Sequence, residues 1–179
     1  MLNPFKKRKE SKQLRNSFNG FERLWSTAPE DIWRIEDAND FLIAFNATLC
    51  RRCDYGEEIK RLLDAERTIY LVLCLEGEVN NGGFSQFFYN SSGKFASETA
   101  VALRDIGALN VAEIYERARA PLGELPQNDT ERSDVLNSRI TDEVSVILSE
   151  CDSAFYEYPD DLALLSYRLA HENRAQLGA

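Results

Sequence analysis

Residues 78–90 read Glu-Val-Asn-Asn-Gly-Gly-Phe-Ser-Gln-Phe-Phe-Tyr-Asn, which places two asparagines and two glycines between apolar segments. Gly82 or Gly83 can adopt a positive φ without the steric cost that a Cβ atom imposes. The amides of Asn80 and Asn81 can bond backbone groups that are left unpaired where a helix ends. The composition therefore predicts a tight, sharply angled junction between two helices.

The phenylalanines after the glycines predict which side of this junction is buried. Phe84, Phe87 and Phe88 are spaced at i, i+3 and i+4, so they fall on one face of a short helix. Aromatic side chains contribute large buried areas to a core. We therefore interpret the stretch as a folding corner whose aromatic face is turned into the protein.

On both sides of the corner, apolar residues recur at three- and four-residue intervals, and no short window alternates as a strand does. The pattern predicts an all-α fold, a compact bundle of about eight or nine helices around a long central helix. The central helix is expected over about Gly56–Val79, where the apolar arc is widest. The other helices are expected from Ala28, over Ala38–Arg52, Phe84–Tyr89, Phe95–Ile106, Asn110–Ala120, Asn128–Asn137, Thr141–Tyr158 and Asp160–Gln176, with Thr141 as an N-cap.

Length and composition favour one domain over residues 19–179. A chain of 179 residues can bury about 70% of its unfolded surface. Residues 1–18 form a basic polar tail that we expect to be disordered, with docking to an acidic surface as the alternative. Neither a signal-like stretch nor a window of ~18 apolar residues occurs. These features predict a soluble, cytoplasmic protein without membrane association. Four cysteines lie in apolar runs and are expected to be reduced: Cys50, Cys53, Cys74 and Cys151.

The charge of the chain is unevenly distributed. Residues 1–15 carry six basic side chains and one acidic side chain, and because the whole chain carries -9, the remaining residues carry -14. A body that acidic repels nucleic acid and attracts basic proteins, including those that bind nucleic acid. The charge therefore predicts a basic partner and no direct binding of nucleic acid by the folded body.

The stretch 78–90 resembles the signature of a bacterial family of small, acidic, helical proteins named after members that act as DNA mimics. The likeness centres on Asn-Asn-Gly-Gly-Phe-x-Gln-Phe-Phe-x-Asn and extends over about residues 30–175. The residues that carry it are Glu78, Asn80, Asn81, Gly82, Gly83, Phe84, Gln86, Phe87, Phe88 and Asn90. The resemblance implies an all-helical fold, a homodimer, no cofactor and, for some members, binding to a DNA-binding transcriptional regulator in place of DNA.

A DNA mimic needs carboxylates in rows, because duplex DNA carries about one negative charge per 1.7 Å of its axis. Between Arg139 and Arg168 there is no Lys or Arg, yet seven carboxylates occur. Glu143, Glu150 and Glu157 would stand roughly 10 Å apart along the outer face of one helix. The predicted partner-binding face comprises Asp142, Glu143, Glu150, Asp152, Glu157, Asp160 and Asp161, with a second cluster at Glu30, Asp31, Glu36, Asp37 and Asp40. The alternative is a solvated face that keeps the protein soluble.

The sequence contains no phosphate-binding glycine loop, no His-Glu-x-x-His motif and no nucleophile elbow. We therefore predict a non-enzymatic interaction domain without a metal site. The rival interpretation is a small-molecule-binding or enzymatic domain that uses the Asn80–Asn90 corner, with Glu78, Asn80 and Gln86 presenting polar groups to a ligand. A polar cavity at the glycine pair would favour this rival, whereas a continuous acidic face would favour mimicry.

Two further features carry weaker catalytic interpretations. Cys50-Arg-Arg-Cys53 has a redox-like spacing, and the flanking arginines are expected to lower a thiol pKa. However, no second pair completes a zinc site. His171, the single histidine, lies in a polar run that we expect to be exposed, which argues against a catalytic triad.

Overall fold

A computed structural model describes residues 19–177, which form α-helices joined by short turns and contain no strand. The helices are α1 (residues 19–25), α2 (Pro29–Ile32), α3 (Ala38–Arg52), α4 (Asp64–Tyr89), α5 (Ala96–Asp105), α6 (Leu109–Arg119), α7 (Asp129–Arg139), α8 (Asp142–Tyr156), α9 (Leu162–Glu172) and α10 (Arg174–Leu177). The predicted all-α class is confirmed. The basic tail predicted for residues 1–18 lies outside the described residues.

The long helix α4 supplies one side of two apolar cores. Its first half packs with α3 and α9 around Phe41 and Tyr70. Its second half packs with α5, α6 and α8 around Phe87 and Tyr115. The prediction of a bundle around a long central helix is therefore confirmed. Within residues 19–177, none of the helices has both the length and the apolar composition that a membrane span requires.

The central helix begins eight residues later than the predicted start at Gly56. Asp54 and Tyr55 have φ values of 47° and 53°, so the chain turns here instead of entering a helix. The helix starts only after Leu63, whose N–H donates to the buried carboxylate of Glu66 at 3.0 Å. Apolar spacing continues through this turn, and the periodicity therefore placed the helix start too early.

Other boundaries differ for local reasons. The helix predicted at Phe84–Tyr89 is the last part of α4, beyond a kink, and residues 19–25 are helical although no helix was expected there. The last helix breaks at Asn173, whose side-chain amide donates to the Leu169 carbonyl at 2.9 Å. Such local side-chain bonds compete with the backbone ladder. The predicted Thr141 cap is present and accepts a hydrogen bond from an N–H in the first turn of α8.

Gly77→Ala should stabilise the protein. Gly77 is exposed in the interior of α4, and a Cβ atom added there would meet nothing within 4 Å. Because glycine destabilises a helix interior by about 0.5–1 kcal/mol relative to alanine, the free energy of unfolding should rise by about that amount. Urea denaturation followed by circular dichroism measures it, and an unchanged or lower value would contradict the prediction.

Candidate interaction surface

The glycine pair kinks α4 without ending it. Gly82 has an extended φ of −161°, and Gly83 combines a φ of 76° with a ψ of −178°. The second combination is open essentially only to glycine. The predicted positive φ is thus confirmed and belongs to Gly83. Asn81, immediately before the pair, is exposed.

Side chains of α8 satisfy the backbone groups that the kink leaves unpaired. The Asp152 carboxylate accepts a hydrogen bond from the Phe84 N–H at 2.7 Å, and the Tyr156 hydroxyl donates to the Val79 carbonyl at 2.8 Å. Burial raises the pKa of the Asp152 carboxyl, and the hydrogen bond from Phe84 opposes that rise. Side chains of α8, and not the predicted asparagine amides, therefore bind these backbone groups of the corner.

The polar side chains of the corner bind one another and a neighbouring tyrosine. One carboxylate oxygen of Glu78 accepts hydrogen bonds from Gln86 at 2.6 Å and from Asn90 at 2.8 Å. The Asn80 amide donates to the Tyr158 hydroxyl at 2.6 Å. The cavities at α2–α3, α4–α5 and α5–α6 have no wall residue from 78–90. These contacts favour a structural role for the corner over a ligand site.

The three phenylalanines enter the core as predicted. Phe84, Phe87 and Phe88 are fully buried. Their ring centroids lie 5.8 to 6.2 Å from that of Tyr115 on α6, and Phe84 also meets Phe155 on α8 at 5.8 Å. The corner thus fixes α6 and α8 against the same aromatic group.

A buried arginine, which sequence reasoning missed, holds the end of the corner. Arg132 on α7 is fully buried and donates to the carbonyls of Phe88 at 3.1 Å and Asn90 at 2.9 Å. It also binds two carbonyls of the loop before α7 and the carboxylate of Asp129 at 2.6 Å. Nothing in the local sequence marks it, because the segment has the composition of a short polar helix.

Helix α8 presents the predicted acidic face but does not leave every carboxylate unpaired. Asp142, Glu143 and Glu157 are exposed. Glu150 is also exposed but forms an ion pair with Arg117 of α6. The segment without Lys or Arg therefore receives a positive charge from a neighbouring helix.

Three other carboxylates of the predicted face have roles in the fold. Asp152 binds the kink of α4. Asp160 accepts hydrogen bonds from the Asn110 side chain and the Val111 N–H, both at 2.8 Å, and so caps α6. Asp161 is exposed but accepts from an N–H in the first turn of α9 at 2.9 Å. Capping carboxylates stabilise the positive end of a helix.

Helices α6 and α8 lie side by side and run antiparallel, because Asn110 meets Asp160 at one end and Arg117 meets Glu150 nearer the other. Glu113 lies between these two positions on the same side of α6 and is exposed. We define the α6–α8 acidic face as Glu113, Asp142, Glu143, Glu150, Glu157 and Asp161.

The second acidic cluster is partly neutralised. Asp31 forms an ion pair with Arg34 at 2.5 Å, and Asp37 caps α3 by accepting from the Asp40 N–H at 2.9 Å. The exposed members of this cluster are Glu30, Glu36 and Asp37.

The two acidic clusters lie in different halves of the domain. Next to the second cluster, Phe41 contacts Tyr167 and His171 in the last turns of α9. Asp161 stands at the first turn of the same helix. The length of α9, roughly 15 Å, therefore separates the clusters.

The cysteine pair does not resemble a reactive redox site. Cys50 and Cys53 are buried free thiols. Burial raises the pKa of Cys50 to about 11, the neighbouring Cys53 adds to this rise, and Arg51 lowers the pKa less. Arg51 thus lowers the pKa of Cys50 as expected, but desolvation of the thiolate outweighs this positive charge, and the thiol is not activated.

His171 lies among aromatic rings, not in an exposed run. Its ring centroid is 4.2 Å from that of Tyr167, 5.1 Å from Phe41 and 5.4 Å from Trp33. Burial lowers the pKa of the imidazole, and Arg174 lowers it further. Across the part of the chain that the structure describes, no three His, Cys, Asp or Glu side chains group as metal ligands would.

Fold and surface together define a small all-α domain in which a kinked central helix fixes the position of an acidic helix. A family model described as DMP19-like protein matches residues 60–173, which is more than half of the chain and includes α4 to α9. The chain belongs to the DMP19-like protein family, a family of DNA-mimic proteins. The resemblance drawn from residues 78–90 is thereby confirmed. No curated protein and no solved structure matches the chain significantly.

Proposed function

We propose that the protein is a non-enzymatic interaction protein whose α6–α8 acidic face binds the DNA-contacting surface of a basic DNA-binding protein, such as a transcriptional regulator, in place of DNA. Membership of a DNA-mimic family supports the proposal. The observation that carries it is a row of exposed carboxylates along an α8 that has no basic residue of its own.

The length and rigidity of this row of carboxylates suit a partner protein that binds the phosphates of DNA. Glu143 lies in the first turn of α8, and Glu157, the C-cap residue of that helix, follows 14 residues later, or about 21 Å away at 1.5 Å per residue. Glu113, exposed on the adjacent helix α6, adds a further charge. Helix α8 is held in place by the kink of α4 and by the aromatic core, so the carboxylates stand on a fixed frame.

The row is sparser than the phosphates of a duplex, which carry about one charge per 1.7 Å of axis. A second copy of the chain, the homodimer that the resemblance implies, would extend the row. A partner that makes few phosphate contacts would need no such extension. In both cases binding weakens as salt is added, because exposed charges are screened within about 10 Å at 0.1 M ionic strength.

Capture of a partner tests the function. The full chain is immobilised, exposed to an extract of its source cells and eluted first with duplex DNA and then with salt. We expect duplex DNA to release a basic DNA-binding protein, because both compete for the same surface. If the released material contains no such protein, or if duplex DNA releases nothing, the proposal is wrong.

Charge changes on the α6–α8 acidic face should shift this binding in opposite directions. Glu143→Gln with Glu157→Gln removes two carboxylates and should weaken binding by roughly 2–10-fold, whereas Arg117→Gln removes the counter-charge and should strengthen it by roughly 2–5-fold. The salt concentration that elutes the captured protein should fall for the first variant and rise for the second.

A matched control separates the face from overall charge. Asp54→Asn with Glu58→Gln makes the same change in net charge at two exposed carboxylates in the turn between α3 and α4. Its elution should match that of the unaltered chain. Equal shifts in the control and in the Glu143 and Glu157 variant would show that net charge alone governs binding.

A further inference from the structure

An open groove of about 350 Å³ lies between the first turns of α4 and helix α5. The floor of the groove is apolar. Leu71 and Ala102 are buried in it, whereas Val101 is 53% exposed to solvent. An exposed valine in a groove between two packed helices leaves apolar area that a partner side chain can cover.

The rims of this groove are mainly acidic. Asp64 and Arg67 on α4 form an ion pair at 2.7 Å, and Glu98 and Asp105 stand on the α5 side. Among residues 19–177, no basic side chain lies within ion-pair distance of Glu98 or Asp105. An apolar floor beside acidic rims fits a segment in which an apolar side chain adjoins basic ones.

The same chain carries such a segment. Residues 5–9 read Phe-Lys-Lys-Arg-Lys, an aromatic residue followed by four consecutive basic residues. We propose that this segment, Phe5–Lys9, binds in the α4–α5 groove, with Phe5 on Val101 and the basic side chains along Glu98 and Asp105.

The connection is long enough to reach. The carbonyl of Trp25, at the end of α1, accepts a hydrogen bond from Arg51 at 3.1 Å, and the adjacent Arg52 pairs with Glu66 in the first turn of α4. The end of α1 thus lies a few side-chain lengths from the groove. The first described residue, residue 19, lies at the other end of α1, roughly 9 Å from Trp25. From there, residues 9–19 can span up to about 33 Å when extended. A short tether also gives the segment an effective concentration in the mM range, so a weak attraction suffices.

Docking of Phe5–Lys9 would bring the basic N-terminal segment of the chain against its acidic body. It places four basic side chains against carboxylates of α4 and α5, away from the α6–α8 acidic face. The inference does not rest on the proposed function, because the groove and that face belong to different helices and need no common partner.

A spin label on the full chain tests the docking. Ser11→Cys places a reactive thiol two residues after Lys9. The native thiols compete poorly, because Cys50, Cys53 and Cys151 are buried and burial raises the pKa of Cys74 to about 12. With a nitroxide attached, amide resonances of α4 and α5 around the groove should lose most of their intensity at low salt and regain it as salt is added.

Substitutions of exposed residues test whether the segment binds in the α4–α5 groove. Val101→Lys and Glu98→Lys should each restore the groove resonances, whereas Glu113→Lys, the same type of change on the α6–α8 acidic face, should leave the broadening as it was. Broadening that is spread evenly, that centres on the α6–α8 acidic face or that persists in both groove variants would overturn the inference. So would broadening only between chains, detected by mixing spin-labelled chains with isotope-labelled ones. Neither result bears on capture of a DNA-binding partner.

Discussion

Gly83→Ala should lower the free energy of unfolding by about 2–6 kcal/mol. The φ of 76° and ψ of −178° at Gly83 cost an alanine about 1–3 kcal/mol in strain. The new Cβ atom would also lie 2.8 Å from the Asp152 carboxyl carbon, closer than real Cβ contacts. The carboxylate would have to move and release the Phe84 N–H, and an unsatisfied buried donor costs about 1–3 kcal/mol.

Gly107→Ala is the matched control, because Gly107 also has a positive φ, of 85°, but its Cβ would meet nothing within 4 Å. This change should cost only the left-handed strain, about 1–2 kcal/mol. Urea denaturation of both variants gives the difference. Equal losses would show that the contact with Asp152 does not stabilise the kink.

Asp152→Ala separates strain from the hydrogen bond. It leaves the Phe84 N–H without its acceptor but removes the obstacle to a side chain at residue 83. In this background, Gly83→Ala should cost less than it does in the unaltered chain, by an interaction energy of about 1–2 kcal/mol. Strict additivity would show that the two residues act independently.

The kink also shows what the sequence could and could not predict. Gly82 and Gly83 marked a sharp change in direction, and the spacing of Phe84, Phe87 and Phe88 marked the buried side, because both are properties of neighbouring residues. The partner of the kink, Asp152, lies 68 residues after Phe84. Periodicity assigns a residue to a helix face but does not show which element packs against that face.

The same limit explains the corrections to the acidic face. Asp152 and Asp160 were predicted to meet a partner, yet one binds the kink and the other caps α6. The absence of Lys and Arg near Glu150 in the sequence did not reveal Arg117, which arrives from α6. Charge patterning therefore found the acidic helix, while the pairing of each carboxylate depends on how helices far apart in the sequence pack.

These contacts join two features that are separate along the sequence. The motif at residues 78–90 fixes α8 through Asp152, Tyr156 and Phe155. Helix α8 carries the exposed Glu143 in its first turn and is capped at its end by the exposed Glu157. A change in the angle of the kink would therefore move the α6–α8 acidic face relative to the rest of the domain. The motif that identifies the family is in this way a structural support for the proposed interaction surface.

Arg132→Met should lower the free energy of unfolding by about 3–5 kcal/mol. Methionine fills a similar length of space but cannot donate to the carbonyls of Phe88 and Asn90 or to those of the loop before α7. Those oxygens would be left without partners around a fully buried position. Replacing a buried ion by an apolar residue can be neutral where no partner groups remain, but here several remain.

Two further variants make this expectation specific to the guanidinium. Arg132→Lys keeps the positive charge, but its ammonium group is compact. The planar guanidinium of arginine donates to carbonyls on both sides, so most of the loss in the free energy of unfolding should persist in the lysine variant. Arg168→Met, at an exposed position on α9, should change stability by no more than about 0.5 kcal/mol. Urea denaturation compares the three variants with the unaltered chain. If Arg132→Lys is as stable as the unaltered chain, a buried positive charge alone stabilises the corner. The several N–H donors of the guanidinium are then not required. If Arg132→Met loses less than about 1 kcal/mol, water or rearranged backbone satisfies the carbonyls, and the end of α4 does not depend on α7.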